Sequence, residues 1–115
     1  MESKDSNIDE TQWQSEFDAL FERSIQLLKE NNIYPDAVQK QMLFSHLKAM
    51  VIRSHTGESL PEIEIDMFED ISDVSHQLAK QVVSWVDNIA FEETYLLSVH
   101  FEVAKENELT SELGA

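Results

Sequence analysis

Two histidines stand where chemistry is possible: His46 in QMLFSHLKAMVIR and His100 in EETYLLSVHFEVAKEN. In a helix, residues three and four apart share a face. His46 therefore shares its face with Met42, Leu43, Ala49 and Met50, and His100 with Leu96, Leu97, Val103 and Ala104. On an apolar stripe, desolvation disfavours the charged imidazole. A neutral imidazole keeps the free ring nitrogen that a nucleophile toward a phosphoryl group requires. The excess of acidic residues pushes the other way. On spacing alone, the ordinary reading of each is a hydrogen-bonded core or boundary residue, with a working nucleophile as the alternative.

Other chemistries find no frame. There is no HExxH and no Glu-x-x-His of the di-iron bundle type; the nearest pattern is Asp73-Val-Ser-His76, which is unspecific. Neither a Gly-rich phosphate loop nor a Ser-His-Asp grouping occurs, and the chain has no cysteine, hence no disulfide and no thiolate chemistry. No metal and no cofactor are expected. His55 and His76 read as surface residues.

The elements that must position these histidines are helical. A chain of 115 residues makes one domain, and 42% hydrophobic residues is a globular content. With only two glycines and two prolines, it lacks the tight turns a sheet protein of this size needs. From Trp13, the residues Phe17, Leu20, Phe21, Leu27 and Leu28 mark an amphipathic helix to about Asn31. NNIYPD breaks it, and Pro35 suits the first turn of a second helix. That helix carries Val38, Met42, Leu43, Leu47, Met50 and Val51 on one side and fades near Gly57. A short helix is expected in IDMFEDI. A longer one follows in ISDVSHQLAKQVVSWV, with Val74, Leu78, Val82, Trp85 and Val86 inward and Asn88 at its stop. The last helix spans about Glu92 to Asn107. The expected fold is all-α, a compact bundle of four to five helices over residues 12–108, with loose segments at 1–11 and 109–115.

The formal charge is −15. Affinity for nucleic acids and anionic membranes rests on Lys and Arg, so neither is an expected direct partner. Between Glu58 and Asp73 lie seven acidic residues and no basic one, a solvated face or a docking surface for a basic partner. No apolar run is long enough to span a membrane, and the polar start lacks a signal-peptide core. The expectation is a soluble, cytoplasmic protein.

The pair LFSHLKAMVIR and EETYLLSVHFEVA, separated by an acidic helical stretch, resembles the PTS regulation domain (PRD) family. That family has a leucine three before its first key histidine and an arginine seven after, which here are Leu43 and Arg53 around His46. Its second histidine closes a segment opening with a glutamate seven earlier, here Glu93 and His100. The resemblance covers about Trp13 to Asn107. One departure is Ser45, where the family often has aspartate; serine can hydrogen-bond an imidazole but cannot hold it by charge.

The resemblance implies an all-helical module of the bacterial sugar phosphotransferase system, regulated by phosphorylation of His100 and His46. The donor would be HPr or a sugar-specific IIB protein, and the module a receiver, not an enzyme. It implies a homodimer whose packing responds to the added charge, with Arg53 as a candidate partner for the phosphate and Glu93 and Ser45 as supporting residues. No basic nucleic-acid-binding segment precedes the first helix, so the expectation is a stand-alone single PRD acting through another regulatory protein. The alternative is a helical dimerisation or scaffold protein with this fold that no longer receives phosphate.

Overall fold

The computed structural model describes residues 10–60 and 62–107. Four α-helices form the bundle: α1 Gln14–Glu30, α2 Ala37–Thr56, α3 Asp73–Val83 and α4 Glu93–Lys105. Short 3-10 turns at Glu10–Trp13 and Ile65–Phe68 lead into α1 and cross the segment between α2 and α3. The fold is thus the expected all-α bundle. Residues 10 and 11, assigned from sequence to the loose N-terminal segment, belong to the first of these turns. The rest of both expected tails lies outside the described residues.

Local chemistry sets the ends of α2. Its start is a capping box: the Asp36 carboxylate accepts from the Gln39 N–H at 2.8 Å, and the Gln39 side chain accepts from the Asp36 N–H at 2.9 Å. Pro35 therefore stands one residue before the cap, not in the first turn as expected. At the other end Gly57 takes φ +75°, the left-handed conformation that terminates a helix at little cost to glycine.

The core is one cluster drawn from all four helices, including Phe17 and Leu28 of α1, Leu47 and Met50 of α2, Val82 of α3, and Leu97 and Phe101 of α4. Helix α4 packs against both α2 and α3, most extensively against α3. It is pinned to α3 by Glu102. The carboxylate oxygen Oε1 accepts from the Ser72 hydroxyl (2.7 Å), the Ser75 hydroxyl (2.7 Å) and the Ser72 N–H (3.2 Å). Burial opposes ionisation of Glu102. The serine hydrogen bonds and Lys105 outweigh it and hold the carboxyl below its ordinary range. An anion at the start of α3 also meets the positive end of that helix.

Two readings are corrected: the single apolar side expected for α2, and the inward position expected for Val74. Val38 is 63% and Met42 56% exposed, and Val74 also faces outward. Val38 and Met42 form a stripe of their own beside the buried Leu43 and Leu47, so only one of the two apolar stripes of α2 meets the core. Helix α3 ends at Val83, short of the expected stop at Asn88. Trp85 and Val86 fall in the following turn, half-buried, where the Arg23 guanidinium lies 3.9 Å from the centre of the Trp85 ring. Asn88 takes φ +58°, which asparagine tolerates, and its amide donates to the Ser54 carbonyl at 3.1 Å, tying this loop to the end of α2.

Candidate functional site

Helices α2 and α4 run antiparallel in contact. Arg53 meets Glu93 at one end, His46 meets His100 in the middle, and Asn107 donates to the Tyr34 carbonyl at the other. The two imidazoles, far apart in sequence, stand with ring centroids 4.9 Å apart in an edge-to-face arrangement of 72°. Helices packed side by side bring such facing residues together when both lie beside the shared seam.

The rings differ in environment. His100 is half-buried, and burial, with a smaller electrostatic push from His46, lowers its pKa to about 4. It is neutral at physiological pH. Among the described residues no hydrogen bond reaches its ring, so no protein group competes for its nitrogens. His46 is likewise half-buried, and its Nε2 is buried 3.7 Å from Glu93 Oε1, an electrostatic contact longer than a hydrogen bond.

Glu93 links the two helices. Its side chain is almost wholly buried at the first turn of α4, and it accepts from Arg53 Nε at 2.7 Å and Arg53 Nη2 at 2.9 Å. This is a bidentate, charge-assisted pair. Burial alone would raise the pKa of Glu93; the His46 ring and the Arg53 guanidinium outweigh it and hold the carboxyl below its ordinary range. Four of the five residues singled out from sequence, His46, Arg53, Glu93 and His100, thus form one contiguous group. Ser45 stands apart: it is exposed, and its side chain makes no hydrogen bond among the described residues. The carboxylate beside His46 is that of Glu93 from the opposite helix.

Arg53 is committed to Glu93 in this conformation, with both donors of one guanidinium edge occupied. A cleft of about 570 Å³ opens beside this ion pair, lined by Arg53, Glu93, Glu58, Glu62 and Asn88, and neither imidazole borders it. Among the described residues, no group of three or more His, Asp or Glu side chains is placed to hold a metal ion. No described helix is long and apolar enough to cross a membrane.

The remaining histidines lie elsewhere. His55, read as a surface residue, is exposed but engaged. It stacks on Trp13 (4.4 Å, 3° between planes), and its Nε2 lies 2.9 Å from Glu16 Oε1. His76, also read as a surface residue, is half-buried against Tyr95. Glu102 was missed by sequence reasoning; its only signal was an acidic residue inside an apolar helix.

The chain is similar to the crystal structure of a PRD-containing transcription regulator from Lactobacillus casei, with 36% identity and a TM-score of 0.80 over 82% of this chain and 84% of that one. No protein-family model and no curated protein matches the sequence.

Proposed function

The chain belongs to the PRD family, and from that premise we propose that it is a phosphorylatable regulatory module of the bacterial sugar phosphotransferase system, with His100 and His46 as phosphoacceptors. The observation that carries the reading is the pairing of the two imidazoles across α2 and α4, one of them neutral and unengaged. A neutral ring nitrogen of His100 attacks the phosphorus of a donor, HPr or a IIB protein. A new N–P bond forms as the bond to the donor breaks. His100 is the first acceptor, because Nε2 of His46 is sealed beside Glu93.

The output follows from charge. A phosphoryl group adds about −1.5 to −2 charges. At His100 that charge arrives within a helix pair held by the Arg53–Glu93 ion pair, and Arg53 is the cation it would draw away from Glu93. The exposed apolar residues Met42 and Val103 lie one turn from His46 and His100 on the same helix faces, and they form the surface on which two copies pair. Charge added beside that surface shifts the dimer equilibrium, a two-state switch. The similar Lactobacillus casei protein is a transcription regulator. On that analogy this chain acts on transcription through another regulatory protein, in the cytoplasm and without an enzymatic reaction of its own.

A second reading has one observation in its favour. Arg53 is already occupied by Glu93, as in a fixed structural pair, which suits a scaffold that receives no phosphate. Incubation with enzyme I, HPr, candidate IIB proteins and phosphoenolpyruvate separates the two. Intact mass under alkaline conditions should show a gain of one phosphoryl group that is slowed in His100→Ala and lost when His46→Ala is added. No gain with any donor would leave the scaffold.

A further inference from the structure

We propose that the aromatic cluster around Tyr95 is a docking surface for a basic, amphipathic helix of a partner protein. Tyr95, in the first turn of α4, contacts three rings from three other segments. These are Phe68 of the second 3-10 turn at 5.7 Å, His76 of α3 at 5.3 Å, and Phe91 of the preceding loop at 5.7 Å between centroids. The cluster is ordered by its own contacts yet uncovered on its outer side: Phe91 is 54% exposed, and Met67, next to Phe68, is 74% exposed. Single exposed apolar residues are common on soluble proteins, but a contiguous aromatic group with a polar rim marks an interaction surface. Aromatic and methionine side chains are also the types enriched where partners bind.

The rim decides what the partner carries. Glu69, Asp70 and Glu92 adjoin Phe68 and Phe91 in sequence and are exposed. Between residues 58 and 73 there is no Lys or Arg, and the nearest basic residue along α3 is Lys80, one turn beyond His76. An apolar centre inside an acidic rim is complementary to apolar anchors flanked by Lys or Arg. A second copy of this chain is the wrong occupant: with 8 basic residues against 23 acidic ones it offers few Lys or Arg to meet the rim, and its own pairing surface is the one around Met42 and Val103. The spacing favours a helix. Phe91 and Tyr95 are four residues apart with their rings in contact, Phe68 and His76 flank Tyr95, and an amphipathic helix presents its apolar anchors at the same spacing.

The test uses the unphosphorylated full chain, so its outcome is separate from the histidine chemistry. The isotopically labelled protein is titrated with a short helical peptide bearing leucines one turn apart and lysines along their flanks. Control peptides carry serine in place of leucine or glutamate in place of lysine. Amide shifts should concentrate at residues 67–70 and 91–95, and affinity should fall about tenfold in Phe91→Ser and in Met67→Ser. Both are exposed positions, so far-ultraviolet dichroism should show the fold retained. Affinity should also fall with added salt. Equal binding of the serine control would reduce the surface to a nonspecific charge effect and overturn the proposal. So would shifts confined to residues 38–46 and 99–103, or self-association that perturbs residues 91–95.

Discussion

Glu93 Oε1 stands 3.7 Å from Nε2 of His46, so a carboxylate at the head of α4 faces an imidazole in the middle of α2. The same carboxylate grips Arg53 with both oxygens. This arrangement makes Glu93 the joint between the two histidine-bearing helices.

Breaking that joint on one side should be costly. Glu93→Gln leaves the largely buried Arg53 guanidinium without its counter-charge, and urea unfolding should show a loss of roughly 3 kcal/mol. Arg53→Met should cost a similar amount, and the double variant clearly less than the two losses added, since it removes both charges. Additive losses would mean that the pair contributes nothing as a pair. Arg53→Lys should rescue only part, because a lysine cannot make the two-pronged contact.

The pH dependence of stability should carry the mark of His100. Its folded pKa, about 4, lies below the unfolded value near 6.5. Between these values the unfolded chain binds the proton and the folded chain does not, so stability falls as pH drops from about 6.5 to 4. His46 is the titratable group recorded against the ring, with the Glu93–Arg53 pair beyond it, and all three are kept in the comparison. His100→Asn should flatten that limb, removing up to about 3 kcal/mol of pH dependence. Glu93 acts in a lower window: its depressed pKa gives stability that is present above the ordinary carboxylate range and lost as pH falls through its folded value. A chain equally stable at pH 5 and pH 7 would contradict the assignment for His100.

What the sequence revealed and what it hid divide along physical lines. Helix α2 was legible because its ends are local: the NNIYPD break before Asp36 and the left-handed Gly57 after Thr56. His46, Arg53, Glu93 and His100 were visible as motif positions. The bond from Arg53 to Glu93 was not, because it depends on how α2 and α4 align in space. Periodicity showed that Val38, Met42 and Val74 were apolar but not which side of each helix the core would take. The turn that ends α3 was hidden for a similar reason, since Trp85 is held by Arg23 from α1.

Glu102 offers a check on the α3–α4 contact. Glu102→Ala removes the acceptor for the Ser72 N–H and for the Ser72 and Ser75 hydroxyls, and should cost about 1–3 kcal/mol. Hydrogen exchange should quicken most in the first turn of α3, residues 73–76, while the α2 amides around His46 change little. A uniform increase across the chain would show that the contact supports the whole bundle and not this helix end.

The 4.9 Å separation of His46 and His100 bears on how many phosphoryl groups the chain can hold. Near a protein surface, each pair of like unit charges about 5 Å apart costs about 3 kcal/mol, and each phosphoryl group brings about −1.5 to −2. The Glu93 carboxylate beside His46 adds to the opposition. Phosphorylation at His100 should therefore suppress transfer to His46 while α2 and α4 remain paired. With donor in excess, intact mass at alkaline pH should show mainly one added group, and His100→Ala should expose slower labelling of His46. A chain that readily takes two groups, with α2 and α4 still protected from hydrogen exchange, would show that the imidazoles accept charge independently. If the second group appears only with loss of that protection, the helix pair has opened to admit it.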